Sequence, residues 1–200
     1  MFNPNPVARA LRKPGLRWLR ALAAVAIASS AAIPATAQTS QADSADALQA
    51  AFLFNFAKFT TWPAVSDLDT SIKFCVQSGS IGQEAFAGWG KKRIQNRPVR
   101  VAFFSQFAAG ELQNCSIMFF SETPQGIDMK GLREFGAEHN TLMVSDIEGF
   151  SAEGGHIELY LANRRLRFKV NLGALEKAEL SLGAGVLNLA EIVGTTGAPK

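Results

Sequence analysis

Between Ala50 and Pro63 the chain reads AAFLFNFAKFTTWP, four phenylalanines and a tryptophan within fourteen residues. So much large apolar surface is rarely left in water. Leu48, Ala51, Phe52, Phe56 and Phe59 recur at the spacing of one helical face. Leu53, Phe54 and Ala57 widen that face until only Gln49, Asn55 and Lys58 remain as a polar stripe. A helix of this kind is expected to be wrapped by its own domain or partly covered by another protein. It should stop near Trp62, because Pro63 disfavours helical geometry in the residue before it.

Upstream, residues 1–37 have the layout of a cleaved secretory signal. Arg9, Arg12, Lys13, Arg17 and Arg20 form a basic lead, Ala21 to Ile33 is apolar, and Ala35, Thr36 and Ala37 offer small residues for cleavage before Gln38. The apolar run is shorter than the roughly twenty residues that span a bilayer, so export and release are expected, not membrane insertion. Five of the 20 basic residues and none of the 17 acidic ones lie in this leader, leaving 15 against 17. Without a basic surplus the mature chain has no electrostatic footprint for nucleic acid.

Residues 38–44 read as a small flexible linker and 45–196 as one α/β domain, long enough for a sizeable core. Strand patterns at Ile72–Gln77, Val99–Phe104, Ser116–Phe120 and Leu142–Ser145 alternate with helical patterns. Ser80 is positioned to cap one through Gly90, Ala108–Gln113 is a short second, and Asp128 caps a third ending at Asn140. Such alternation implies partly parallel strands. His156–Ala162 and Leu166–Val170 then form a hairpin around Asn163. From about Asn171 to Val193 the spacing of Leu172, Leu175, Ala178, Leu182, Val186, Leu189 and Val193 predicts a long terminal helix, with Gly183 and Gly185 explained by close packing. The expected fold is a small, mixed, mostly parallel sheet flanked by helices.

Cys75 and Cys115 are the two cysteines. In an exported chain an even pair favours one disulfide. Two buried thiols serving as small hydrophobes are the alternative.

AAFLFNFAKFTTWP resembles the opening motif of the YfiR family of Gram-negative periplasmic proteins. IKFCVQSGSIG from Ile72 to Gly82 is similar to that family's first strand and turn, and FKVNLGALEKAELSLGAGVLNLAEIV from Phe168 to Val193 to its terminal helix. The resemblance implies a regulator that restrains a membrane-bound diguanylate cyclase, and a disulfide at what look like Cys75 and Cys115. A second pair found in the founding member has no counterpart between Asp146 and Gly155, so redox switching through that pair is not expected.

A catalytic set is hard to assemble from His139 and His156, without HExxH, GxSxG or a cysteine left for metal. His156 and Glu158 share a strand face, where a solvent-facing pair is the commoner outcome; Tyr160 and Ser151 stand isolated. Gly79, Ser80 and Gly82 form a turn whose amides could cradle an anion, with Arg97 adding charge. Ordinary capping is the simpler role.

Together these features predict a non-enzymatic periplasmic protein without metal or cofactor. Its expected partner is an inner-membrane diguanylate cyclase with a periplasmic sensor domain, or a second copy of itself. Phe54, Phe59 and Leu187 are the candidate contact residues. A small-ligand sensor using the Gly79–Gly82 turn is the rival reading.

Overall fold

The computed structural model describes residues 36–63 and 71–194. Residues 1–35 of the leader, and residues 64–70 and 195–196 of the expected domain, lie outside them. Helix α1, Thr36–Phe59, carries the aromatic stretch. It begins earlier than expected, so residues 38–44, read as a linker, form its first turns, as does the expected cleavage point at Ala37 and Gln38. Its end precedes Trp62. Thr60 returns its hydroxyl to the Phe56 carbonyl at 2.7 Å, and Thr60–Thr61 leave as an extended pair, β1.

The buried face of α1 is centred on Leu53, with Ala50, Phe56 and Ala57 beside it. This differs from the expected face of Leu48, Ala51, Phe52, Phe56 and Phe59, of which Phe56 alone is fully buried. Ala50, Leu53 and Ala57 at three- and four-residue steps make a flatter surface than phenylalanines would, letting the helix approach the sheet closely. Leu48 consequently points outward and Gln49 inward, where its amide donates to Asp146 at 3.4 Å.

The sheet strands are β2 (Ile72–Gln77), β3 (Arg93–Ile94), β4 (Arg97–Phe104), β5 (Ile117–Phe120), β6 (Leu142–Ser145), β7 (Ile157–Ala162), β8 (Arg165–Asn171) and, further on, β10 (Glu191–Val193). They lie in the order β10-β8-β7-β6-β5-β2-β4-β3. Pairing is parallel from β4 through β7 and between β10 and β8, and antiparallel at β7/β8 and β3/β4. The chain steps outward from β2 to β4, then crosses back to build β5, β6 and β7 on the other side, a doubly wound arrangement. Continuous apolar runs such as Ile117–Phe120 and Leu142–Met143-Val144 fit strands covered on both faces. Asn163 and Arg164, at φ 51° and 61°, make the two-residue turn that matches the strand twist of the β7–β8 hairpin.

On one face lie α1, Phe74, Trp89, Phe119, Leu159 and Phe168. On the other, α2 (Ala109–Leu112) and α3 (Met129–Glu138) cover Cys75, Met118, Phe120 and Met143. Asp128 caps α3 as expected, accepting the Gly131 amide at 2.7 Å, and Asn140 leaves it at φ 50°.

Two expected helices are broken. Ser80–Gly90 forms only 3-10 turns at Gln83–Phe86 and Trp89–Lys91, because Gly82, Gly88 and Gly90 deny it a continuous run; Gly88 has φ 77°. Beyond Asn171 there is no long terminal helix. α4 (Leu172–Lys177) stops at Glu179, φ 53°, and is followed by β9 (Ser181–Leu182), which pairs with β1, then α5 (Ala184–Leu187) and β10. Leu180 and Leu182 are buried either side of exposed Ser181, a period of two inside a segment that otherwise looks helical. A Cβ at Gly183 would stand 3.5 to 3.7 Å from Phe59, ordinary contact, and one at Gly185 would meet nothing within 4 Å, so close packing requires neither glycine.

Candidate partner-binding surface

Cys75 and Cys115 are bonded, with Cα atoms 5.9 Å apart across the adjacent parallel strands β2 and β5. The bond sits on the α2/α3 face, so it ties the first sheet strand to the entry of β5 and leaves α1 free of it.

Near this scaffold the polar candidates prove to be internal structure. His156 and Glu158 share a sheet face, but they are buried (3% and 1% exposed), not turned to solvent. The His156 ring accepts the Met143 amide through Nδ1 at 3.0 Å, taking the place of a ladder carbonyl. Burial lowers its pKa to about 4, with the Thr141 backbone opposing. Glu158 accepts Ser151 through both amide and hydroxyl (3.0 and 2.8 Å) and Lys169 at 2.9 Å. Burial alone would raise its carboxyl; Lys169, Ser151 and Gly149 together hold it below the usual value. Asn171 completes the cluster, donating to the Ser151 carbonyl at 2.7 Å and capping α4 through the Ala174 amide at 2.9 Å. The sequence did contain a signal for this network. A two-residue turn at Asn163 and Arg164 puts Glu158 opposite Lys169. No group of three or more metal-binding side chains forms among the described residues.

The expected anion turn does not converge. Gly79 has φ 88°, the Ser80 hydroxyl donates to the Gln77 carbonyl at 2.6 Å, and the Gly82 amide is taken by Asp46 of α1 at 2.7 Å. A carboxylate of the protein itself thus occupies the place an anion would need. Arg97 lies at the opposite end of the parallel β2/β4 pair, donating to the Ser71 carbonyl at 2.8 Å. The length of a six-residue strand, roughly 20 Å, separates it from the turn.

What remains unaccounted for is apolar. Among the described residues the exposed large hydrophobic side chains are Leu48 (47%), Phe59 (43%), Leu161 (76%), Leu189 (74%) and Ile192 (39%). Leu48 and Phe59 lie with half-buried Phe52 on one flank of α1. Leu161 pairs with Leu166 two steps beyond Leu159 and Phe168, so it continues the sheet face that α1 covers. Ile192 pairs with buried Val170 on the same face, and Leu189 follows α5, whose Val186 packs into the same core. The Phe52 and Phe168 rings meet at 5.9 Å and join the helix flank to the sheet. All five exposed residues therefore belong to the α1 layer and none to the α2/α3 layer. Of the expected contacts, Phe59 is on this surface. Phe54 is half-buried against Trp89 at 5.2 Å beneath the Lys92 ammonium, and Leu187 is half-buried on the core. Sequence reasoning missed Leu161, Leu189 and Ile192 as exposed residues.

A family model described as YfiR/HmsC-like matches residues 46–191. A conserved domain protein from Vibrio cholerae O1 biovar eltor, known as a crystal structure, is similar at 10% identity and TM-score 0.47 over 74% of this chain. The chain spans 59% of that protein's length. No protein of curated function matches it.

Proposed function

The chain belongs to the YfiR/HmsC-like family, and on that premise we propose that it is a non-catalytic periplasmic regulator. In this reading it holds the periplasmic domain of an inner-membrane diguanylate cyclase in its inactive state and so lowers cyclic di-GMP. The observation that carries the reading is the confinement of every exposed large hydrophobic side chain among the described residues to the α1 layer. Apolar surface gathered on one side of a molecule marks a contact site, whereas scattered single residues do not. The titratable groups that an enzyme would use are instead committed to internal bonds. No helix among the described residues is long and apolar enough to cross a membrane.

Control of this kind is a population shift. To move a cyclase from 1% to 99% inactive, the regulator must prefer the inactive state by about ten-thousandfold, or roughly 5.5 kcal/mol. Leu48, Phe52, Phe59, Leu161, Leu189 and Ile192 are the side chains that supply this preference, since burying each exposed leucine or phenylalanine contributes about 1.5 to 3 kcal/mol before the costs of association. The test is to delete the gene in its host, measure cyclic di-GMP and surface attachment, and repeat with the membrane cyclase also removed. The expected result is a rise in both that disappears in the double deletion. Unchanged nucleotide after the single deletion overturns the reading.

A further inference from the structure

The opposite side of the molecule carries a second surface of different chemistry. Strand β4 has β2 on one edge, paired from Ile72 with Val99 to Gln77 with Phe104. On its other edge β3 reaches only Arg97 and Pro98. The Phe104 carbonyl accepts the Ser78 amide on the β2 side, and the Val99 amide donates outward to the Lys92 carbonyl at 3.1 Å. Because backbone groups alternate direction along a strand, Val101 and Phe103 turn their N–H and C=O groups to the outer edge. There they meet no strand among the described residues. Such an edge is a template for another strand.

The surroundings say which strand fits. A groove of about 660 Å³ runs along this edge, lined among others by Phe86, Trp89, Val101, Arg100 and Lys73. Its two sides differ. Phe86, Trp89 and Phe103 lie with the α1-side core, Phe86 edge-on to Phe103 at 5.6 Å. Arg100 and its register partner Lys73 project to the other face, Arg100 exposed and Lys73 donating to the Glu111 carbonyl. From Lys91 to Phe104 the chain holds Lys91, Lys92, Arg93, Arg97 and Arg100 and no acidic residue, although the chain after its leader is slightly acidic. A second copy presenting the same edge would bring two basic strands together, which is unfavourable.

We propose that the open edge of β4 receives an extended segment of another protein in which acidic and apolar side chains alternate. Residues Val101 and Phe103 hold its backbone, the acidic side chains face Arg100 and Lys73, and the apolar ones enter the groove at Phe86 and Trp89. This is strand addition, with main-chain bonds providing affinity and alternate side chains selecting the sequence. It uses none of the exposed hydrophobic residues assigned to the cyclase and stands or falls separately from that assignment.

The probe is a dye-labelled nine-residue peptide alternating glutamate and leucine, with a lysine-for-glutamate control, titrated by fluorescence anisotropy against the full mature chain. The glutamate peptide is expected to bind, to weaken with added salt, and to protect the Val101 and Phe103 amides from hydrogen exchange. The control should not bind. Arg100→Glu should weaken binding about tenfold, the scale of one charge-assisted contact, and Val101→Pro should abolish it. Should Val101→Pro fail to fold by circular dichroism, Arg100→Glu and the amide protection decide. Absence of binding, equal binding of the two peptides, or binding indifferent to Arg100→Glu overturns the proposal. So does concentration-dependent protection of the same amides without peptide, since a second copy would then own the edge.

Discussion

Acid should unfold this protein in a window that His156 sets. The ring is buried and accepts the Met143 amide through Nδ1, an arrangement that only the neutral ring, with its proton on Nε2, sustains. Its pKa falls from 6.5 to about 4 in the fold. Above pH 6.5 the ring is neutral whether the chain is folded or not, so it contributes no pH dependence. As pH falls through 6.5 the unfolded chain takes a proton that the folded one refuses, and stability declines by about 1.36 kcal/mol per pH unit until about pH 4. Over the whole span this amounts to about 3 kcal/mol, a large share of a typical domain's stability. Glu158, whose carboxyl Lys169 and Ser151 hold below the ordinary value of 4.5, adds its own loss only below that pH. The interval from pH 6.5 to 5 therefore isolates the histidine, at about 2 kcal/mol. Urea unfolding of the oxidised protein at pH 7.5, 6.5, 5.7 and 5.0 measures it, alongside His156→Gln, which keeps an acceptor and cannot titrate. The wild-type midpoint should fall across the interval while the variant stays nearly level. A wild type level from pH 6.5 to 5, or a variant that follows the same slope, refutes the reasoning.

Removing the 40-residue closure with Cys115→Ser should cost roughly 4 kcal/mol, read as a lower urea midpoint; no change on replacement or reduction would show that the bond is not formed in solution. Lys169→Met leaves the Glu158 carboxylate buried with only Ser151 and Gly149 to hold it, and should cost about 3 kcal/mol at pH 7. That penalty should shrink as pH drops below 5, and a penalty independent of pH argues against the charge explanation. Gly194 stands at φ 57°, and a Cβ placed there collides with the Asn171 side-chain amide, so Gly194→Ala should lose about 1 to 3 kcal/mol by thermal denaturation. Phe59→Glu with Leu189→Glu, both on exposed positions, should leave the melting temperature nearly unchanged and relieve repression of the cyclase in cells. Full repression by that double variant would place the contact elsewhere.

Local chemistry determined much of this protein by itself. The apolar strands β2 and β6 fall at Ile72–Gln77 and Leu142–Ser145 as their composition requires, Asp128 and Asn140 bound α3, and the two cysteines form one bond. Those features depend on residues near one another in sequence or on simple counting. Tertiary structure alone decided which side of α1 is buried, since its aromatic residues surround most of the helix and only closeness to the sheet favours the Ala50, Leu53 and Ala57 side. The same holds for the last segment. Its helical spacing yields at Glu179, where extended pairing of Ser181–Leu182 with Thr60–Thr61 competes with another turn of helix. The exposed residues of the proposed contact surface are likewise products of packing. Leu161 and Leu159 have the same side chain on the same strand face, and only what packs against each leaves one exposed and the other buried.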